Sequence, residues 1–107
     1  MNKEEIFKIR IIMNGIKLIE QERNRQITEE GYDYEHDRQE SLEDLLRAAV
    51  CYAKVNYEGV TVDDWPKSWN YTYWKPTVTL RNLQKAGALI AAAIDKYIDE
   101  THYSNNM

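Results

Sequence analysis

The sequence is poor in the residues that punctuate or staple a chain: one cysteine, two prolines and four glycines in 107 residues. The lone thiol, Cys51, excludes an internal disulfide framework and points to a reducing compartment. So few glycines and prolines exclude a many-turned β architecture and favour long helices. No run of 18 apolar residues occurs, and the opening Met1-Asn2-Lys3-Glu4-Glu5 has no apolar signal core, so neither a membrane span nor a secretory leader is expected. An excess of positive charge is also missing: 14 Lys and Arg against 18 Asp and Glu leave a net charge of −4. That disfavours general nucleic-acid binding, while leaving room for a local basic pocket. There is no phosphate-cradling glycine-rich loop, no paired-cysteine metal site and no recognisable Ser/His/Asp arrangement.

What is present suits one globular domain over residues 1–107, with 43% hydrophobic and 30% charged residues. The pattern is mainly α, a compact three-helix domain with a long aromatic-rich connection before the last helix. Ile6, Ile9, Met13 and Ile16 recur at helical spacing, so the first helix is expected over about 3–30, with Gly15 a soft spot costing roughly 1 kcal/mol. Gly31 fits its C-cap. After a loop at 31–40, Ser41 can cap a second helix over about 41–56, with Asp44 completing an approximate capping box. Leu42, Leu45, Leu46, Ala49, Val50 and Ala53 form its apolar stripe. Residues 57–78 hold Gly59, Pro66 and Pro76 and cannot be one helix. A loop is expected there, with a short β-hairpin at 60–74 as the alternative, since Val60, Val62, Tyr71 and Tyr73 alternate. Thr77 or Thr79 can cap the last helix, over about 79–100. Leu80, Leu83, Gly87, Ile90, Ile94 and Ile98 (or Tyr97) line one face of it, and its many Ala and Gly residues make much of it slim. A slim face admits another backbone closely, either the first helix or a second copy, so a homo-oligomer is expected.

Three constellations could carry chemistry. Glu35-His36-Asp37 precedes a helix; an imidazole among carboxylates can hold Mg²⁺ or Mn²⁺ or exchange protons, or the acids can simply flank a helix N-terminus. Arg23 and Arg25 can grip phosphate with paired hydrogen bonds, or sit on a solvated helix face. Trp65, Trp69 and Trp74, with Lys67, Lys75 and then Arg81, can stack on bases and hold phosphate, or form a lid over the core. Cys51 reads as a small buried hydrophobe rather than a nucleophile.

The ordered set Glu22-Arg23-x-Arg25-Gln26, Glu30-Gly31, Glu35-His36-Asp37, Ala48-Ala49-x-Cys51-Tyr52-Ala53, Trp74-Lys75-Pro76, Arg81 and Ala86-Gly87-Ala88-Leu89-Ile90 resembles a widespread family of small phage and prophage proteins, over roughly residues 19–98. The resemblance implies a phage origin and the cytoplasm of an infected bacterium, and it implies no particular activity. The family often has acidic residues where this chain has Arg38, Asn82 and Ala93, so potential metal ligands are fewer here. The expectation is a non-catalytic protein that sequesters a nucleotide or nucleotide-derived immune signal and needs no cofactor. Trp69 and Trp74 would stack on a base. Arg23, Arg25, Lys75 and Arg81 would hold phosphates. His36 and Asp37, beside Glu35, would meet ribose or base edges. Two alternatives stand beside it: a Mg²⁺-dependent nucleoside triphosphate pyrophosphohydrolase resembling the MazG-like group, using acids such as Glu22, Asp37 and Asp95, and an inhibitor that docks on a host protein through its aromatic loop.

Overall fold

The computed structural model describes residues 1–31 and 39–101, the side chains of Ile9 and Ile11 excepted. Their order is α1 (Lys3–Ile12), α2 (Gly15–Glu29), α3 (Leu42–Lys54), a 3-10 turn (Tyr71–Tyr73) and α4 (Thr79–Thr101). No strand occurs among the described residues, and no helix there is long and apolar enough to cross a membrane.

The single helix expected over 3–30 is two helices. Asn14 leaves helical geometry (φ −90°, ψ 176°), and its Oδ1 accepts from the Lys17 amide at 3.0 Å. An asparagine there satisfies an amide that helix continuation would otherwise have paired with a backbone carbonyl, so it starts a new helix. The break falls at Met13-Asn14, and Gly15 becomes the first residue of α2. At the other end Gly31 takes φ +72°, the left-handed cap geometry that glycine adopts without a Cβ penalty.

Ser41 caps α3, its Oγ accepting from the Asp44 amide at 3.0 Å. The Asp44 carboxylate does not turn back to the first-turn amides; it accepts from Ser68 Oγ at 2.7 Å and so ties the aromatic connection to α3. The hairpin alternative for 60–74 is not what forms. Asp64 accepts from both the amide and hydroxyl of Thr61 (2.8 and 3.1 Å), Asn70 caps the 3-10 turn, and Pro66 cannot donate to a strand ladder.

α2 and α3 both pack on α4. The core is built from small residues: Ala86, Ala92 and Ala93 of α4 meet Leu45, Ala48, Ala49 and Tyr52 of α3, with Trp65 closing the cluster. Cys51 is buried, and burial pushes its thiol pKa up, which suits a packing role. The slim face also receives α2, where Ile19 lies over Gly87 so closely that a Cβ there would sit 2.5 Å from Ile19 Cδ1. The bulky face expected to pack does not. Leu83 is 49% exposed, Ile90 46% and Ile94 54%, and on α3 Leu46 and Val50 are exposed as well. Ala-on-Ala packing brings the axes together, and the larger side chains are left outside the closed layer.

Candidate functional site

The polar half of α2 supplies the centre of the site. Residues 22, 25 and 26 share one helix face by spacing, and that face meets the start of α4. Glu22 is fully buried. Its carboxylate accepts from Arg25 Nε and Nη2 (3.0 and 2.8 Å) and Gln26 Nε2 (3.1 Å), and pairs with Arg81 Nη1 at 2.8 Å. Burial alone would raise its pKa, but the hydrogen bonds from Arg25, Arg81 and Gln26 overcome that and hold it at about 2. Arg25 is held the more firmly in its charged form by Glu22 and, beyond it, Glu30 at 3.0 Å.

Arg25 and Arg81, expected as phosphate ligands, are therefore brought together, around an internal carboxylate. Glu22 was also a candidate metal ligand under the enzymatic alternative. With both oxygens engaged by two guanidiniums and an amide, it serves as their counterion and has no face open to a cation. Arg23 points elsewhere, to Asp95 on α4 at 3.3 Å, so a second acid of that alternative is also ion-paired.

Tyr52 links α3 to the aromatic connection. Its hydroxyl donates to the Tyr73 carbonyl (3.2 Å) and accepts from the Lys75 amide (3.1 Å). Lys85 Nζ donates to the Lys75 carbonyl at 2.7 Å and stands 5.5 Å from the Tyr52 ring centroid. Burial, and then the neighbouring Arg81, lower the Lys85 pKa; burial raises that of Tyr52.

Two adjoining cavities open beside these groups. The larger, about 320 Å³, is lined by Arg23, Gln26, Leu45, Trp69, Tyr73 and Leu89, among others. The smaller, about 70 Å³, is lined by Arg25, Glu30, Tyr52, Lys75 and Lys85 and shares Gln26, Trp69, Tyr73 and Leu89 with the first. They form one cleft with an apolar chamber and a charged one. Trp69 is one of the four residues they share, fixed by its Nε1–H donating to Glu40 at 2.6 Å and by an edge-on contact with Trp65.

Of the sequence candidates, Arg23, Arg25, Trp69 and Lys75 line this cleft, and Arg81 stands behind it on Glu22. Trp74 lines neither chamber; it packs on Tyr52 (4.7 Å between centroids) and Trp65 (5.2 Å) as part of the wall behind them. Glu35, His36 and Asp37 lie outside the described residues. Sequence reasoning passed over Lys85, and named Tyr52 and Gln26 only within the motifs of the resemblance, not as site residues. Lys85 was within reach, because it follows Arg81 by four residues and must share its helix face; Tyr52, in the middle of an apolar helix, offered no such signal. Among the described residues no group of three His, Cys, Asp or Glu side chains could hold a metal ion. No protein-family model matches the chain, and searches of curated proteins and of solved structures likewise find no match.

Proposed function

We propose that the chain binds a small nucleotide in this cleft without transforming it, as a phage-encoded sponge for a nucleotide-type immune signal in the host cytoplasm. The observation that carries the reading is the juxtaposition of two chambers of different chemistry that share Trp69 in their lining. The larger offers an indole, aliphatic walls and the amide of Gln26, which suit the faces and edge of a base. The smaller is lined by Arg25, Lys75 and Lys85 together with Glu22 and Glu30, so that its cations outnumber its carboxylates by one and its net charge suits a phosphate. Glu22 pre-organises the site: it fixes two guanidiniums in place, so ligand binding need not order them.

The host-protein alternative draws less support, because Trp65, Trp69 and Trp74 are turned onto Tyr52 and each other. An aromatic interface would have to use Tyr57, Tyr71 and Tyr73, which are exposed.

The test is incubation of the protein with nucleoside triphosphates, cyclic oligonucleotides and cyclic ADP-ribose isomers in the presence of Mg²⁺. Filtration is followed by chromatography of the filtrate and of the heated protein fraction. A nucleotide that leaves the filtrate and returns intact on heating meets the expectation. Lys75→Glu, at an exposed side chain, should then weaken its retention at least about tenfold through charge reversal beside the phosphate, and Trp69→Ala should abolish it. Conversion to a product would replace the sponge with an enzyme. A panel that passes through unchanged would remove the nucleotide reading altogether.

A further inference from the structure

α4 turns two unlike sides to its surroundings. At roughly 100° per residue, Lys85, Leu89 and Ala92 look toward the cleft. Leu83, Ile90, Ile94 and Tyr97 run along the opposite side. All four are about half exposed, and with Gly87, which Ile19 of α2 covers at the seam's edge, they alternate steps of four and three residues, the seam spacing of packed helices. Leu80, Ala91 and Ile98 broaden the band, and no charged residue falls within that third of the helix circumference from Thr79 to Thr101. A solvated face of this length ordinarily carries Lys or Glu.

A second unpartnered element lies at the other end of the chain. α1 is ten residues long, below the roughly 12–15 residues at which an isolated helix becomes stable in water. It forms no substantial interface with α3 or α4. Ile6, Phe7 and Ile12 on it are exposed at 39%, 65% and 65%. Among the described residues, then, α1 has no substantial packing surface on α3 or α4, and Leu83, Ile90, Ile94 and Tyr97 have no cover.

We infer that a second copy of this chain covers the Leu83–Ile90–Ile94–Tyr97 seam, in a two-fold dimer to which α1 of each copy contributes Phe7. The seam has no charge to select a different partner, and a two-fold axis presents the same stripe to itself. The area is sufficient: Leu80, Leu83, Ile90, Ile94, Tyr97 and Ile98 at roughly 80–100 Å² each, with Phe7 added, come to roughly 600–700 Å², toward the lower end of the ~800 Å² per partner of a standard interface. Because the seam is opposite the cleft-lining side of α4, the dimer leaves both clefts open and each copy keeps a complete site.

The experiment is sedimentation equilibrium of the full chain. A species of twice the 12.7 kDa chain mass is expected at concentrations on the order of 10–100 μM. Ile90→Glu with Ile94→Glu should give a monomer with unchanged helical circular dichroism, and Tyr97→Lys, a milder change at the rim, should weaken association at least about tenfold. Phe7→Asp should weaken it as well, and undiminished association in that variant overturns the part assigned to α1. A wild-type chain that stays monomeric throughout overturns the dimer and gives the seam to a different protein. A dimer that survives Ile90→Glu, Ile94→Glu and Tyr97→Lys places the interface elsewhere and overturns it equally.

Discussion

The interior of this domain and its outer faces invert the usual division of labour between polar and apolar side chains. Inside, alanines bring α3 and α4 together, and the large buried groups include Glu22, Asn82, Gln84 and Lys96. Outside, most of the large aliphatics of α3 and α4 meet solvent, with Leu45 and Leu89 the buried exceptions. The difference shows that what holds a small helical domain is set by what fits between closely spaced axes, and by whether each buried polar atom finds a partner. The count of large hydrophobes on a helix is a poorer guide.

Glu22 is where that comparison is most easily broken. Replacing it leaves Arg81 without its counterion in a partly buried site beside Arg25, which keeps only Glu30 and Glu29, a loss of about 3 kcal/mol for a broken buried pair. By contrast Val50→Ala, at a larger but 56% exposed aliphatic, should cost no more than about 0.5 kcal/mol. Urea unfolding of Glu22→Gln and Val50→Ala should therefore rank the polar change far above the apolar one; the reverse order would refute the inversion. The sign with pH is set by the Glu22 pKa of about 2, well below the ordinary carboxylate range. Its contribution is complete above that range and is lost as pH falls toward 2. The gap between wild type and Glu22→Gln should narrow over that acid window and stay constant near neutrality.

Asn82 makes a smaller and sharper test. It is buried at the start of α4, where Oδ1 accepts from the Thr77 amide (2.7 Å) and Nδ2 donates to the Thr77 carbonyl (3.0 Å) and Asn56 Oδ1 (3.1 Å). A carboxylate can replace the first bond only; it would face two acceptor oxygens at the other positions. The helix N-terminus favours an acid by about 0.3–1 kcal/mol, but stranding buried acceptors costs about 1–3 kcal/mol, so the penalty wins. Asn82→Asp should lower the unfolding free energy by a net ~1–2 kcal/mol, read as a lower urea midpoint, and an unchanged midpoint would show that the amide network is not holding the end of α4.

How much of this was legible in the sequence follows from the range over which each signal acts. Ser41, Gly31 and the alanine-rich last helix speak through local geometry and were readable. The Met13-Asn14 break was half visible: Gly15 marked the weak place, but the capping side chain was its neighbour. The orientation of α4 was not readable, because both its sides carry apolar residues at helical spacing, and the choice between them depends on how closely α3 can approach. In the cleft, Arg23, Arg25, Trp69, Lys75 and Arg81 were legible as types. That Arg25 would pair with Glu22 was legible from their spacing of three; that Arg81 would be spent on the same carboxylate depends on a contact between residues about sixty apart, on which local spacing is silent.

The contact between Ile19 and Gly87 is the smallest effect and the one that isolates shape from chemistry. In an exposed helix interior, Gly→Ala stabilises by about 1 kcal/mol through backbone propensity. At position 87 the new methyl would lie 2.5 and 2.6 Å from Ile19 Cδ1 and Cγ1, and overpacking of that kind costs about 1–3 kcal/mol. The two terms oppose each other, and the net change expected of Gly87→Ala is a loss of about 1 kcal/mol. Ile19→Ala removes the obstructing atoms, at its own cost in buried area. In that background the same Gly87→Ala change has only propensity left and should stabilise by up to about 1 kcal/mol. The sign of one substitution thus reverses with the residue opposite, a coupling of about 1–3 kcal/mol readable from a double-mutant cycle. Additive effects would mean that α2 does not press on α4 at this point, and that the slim face is open to some other helix.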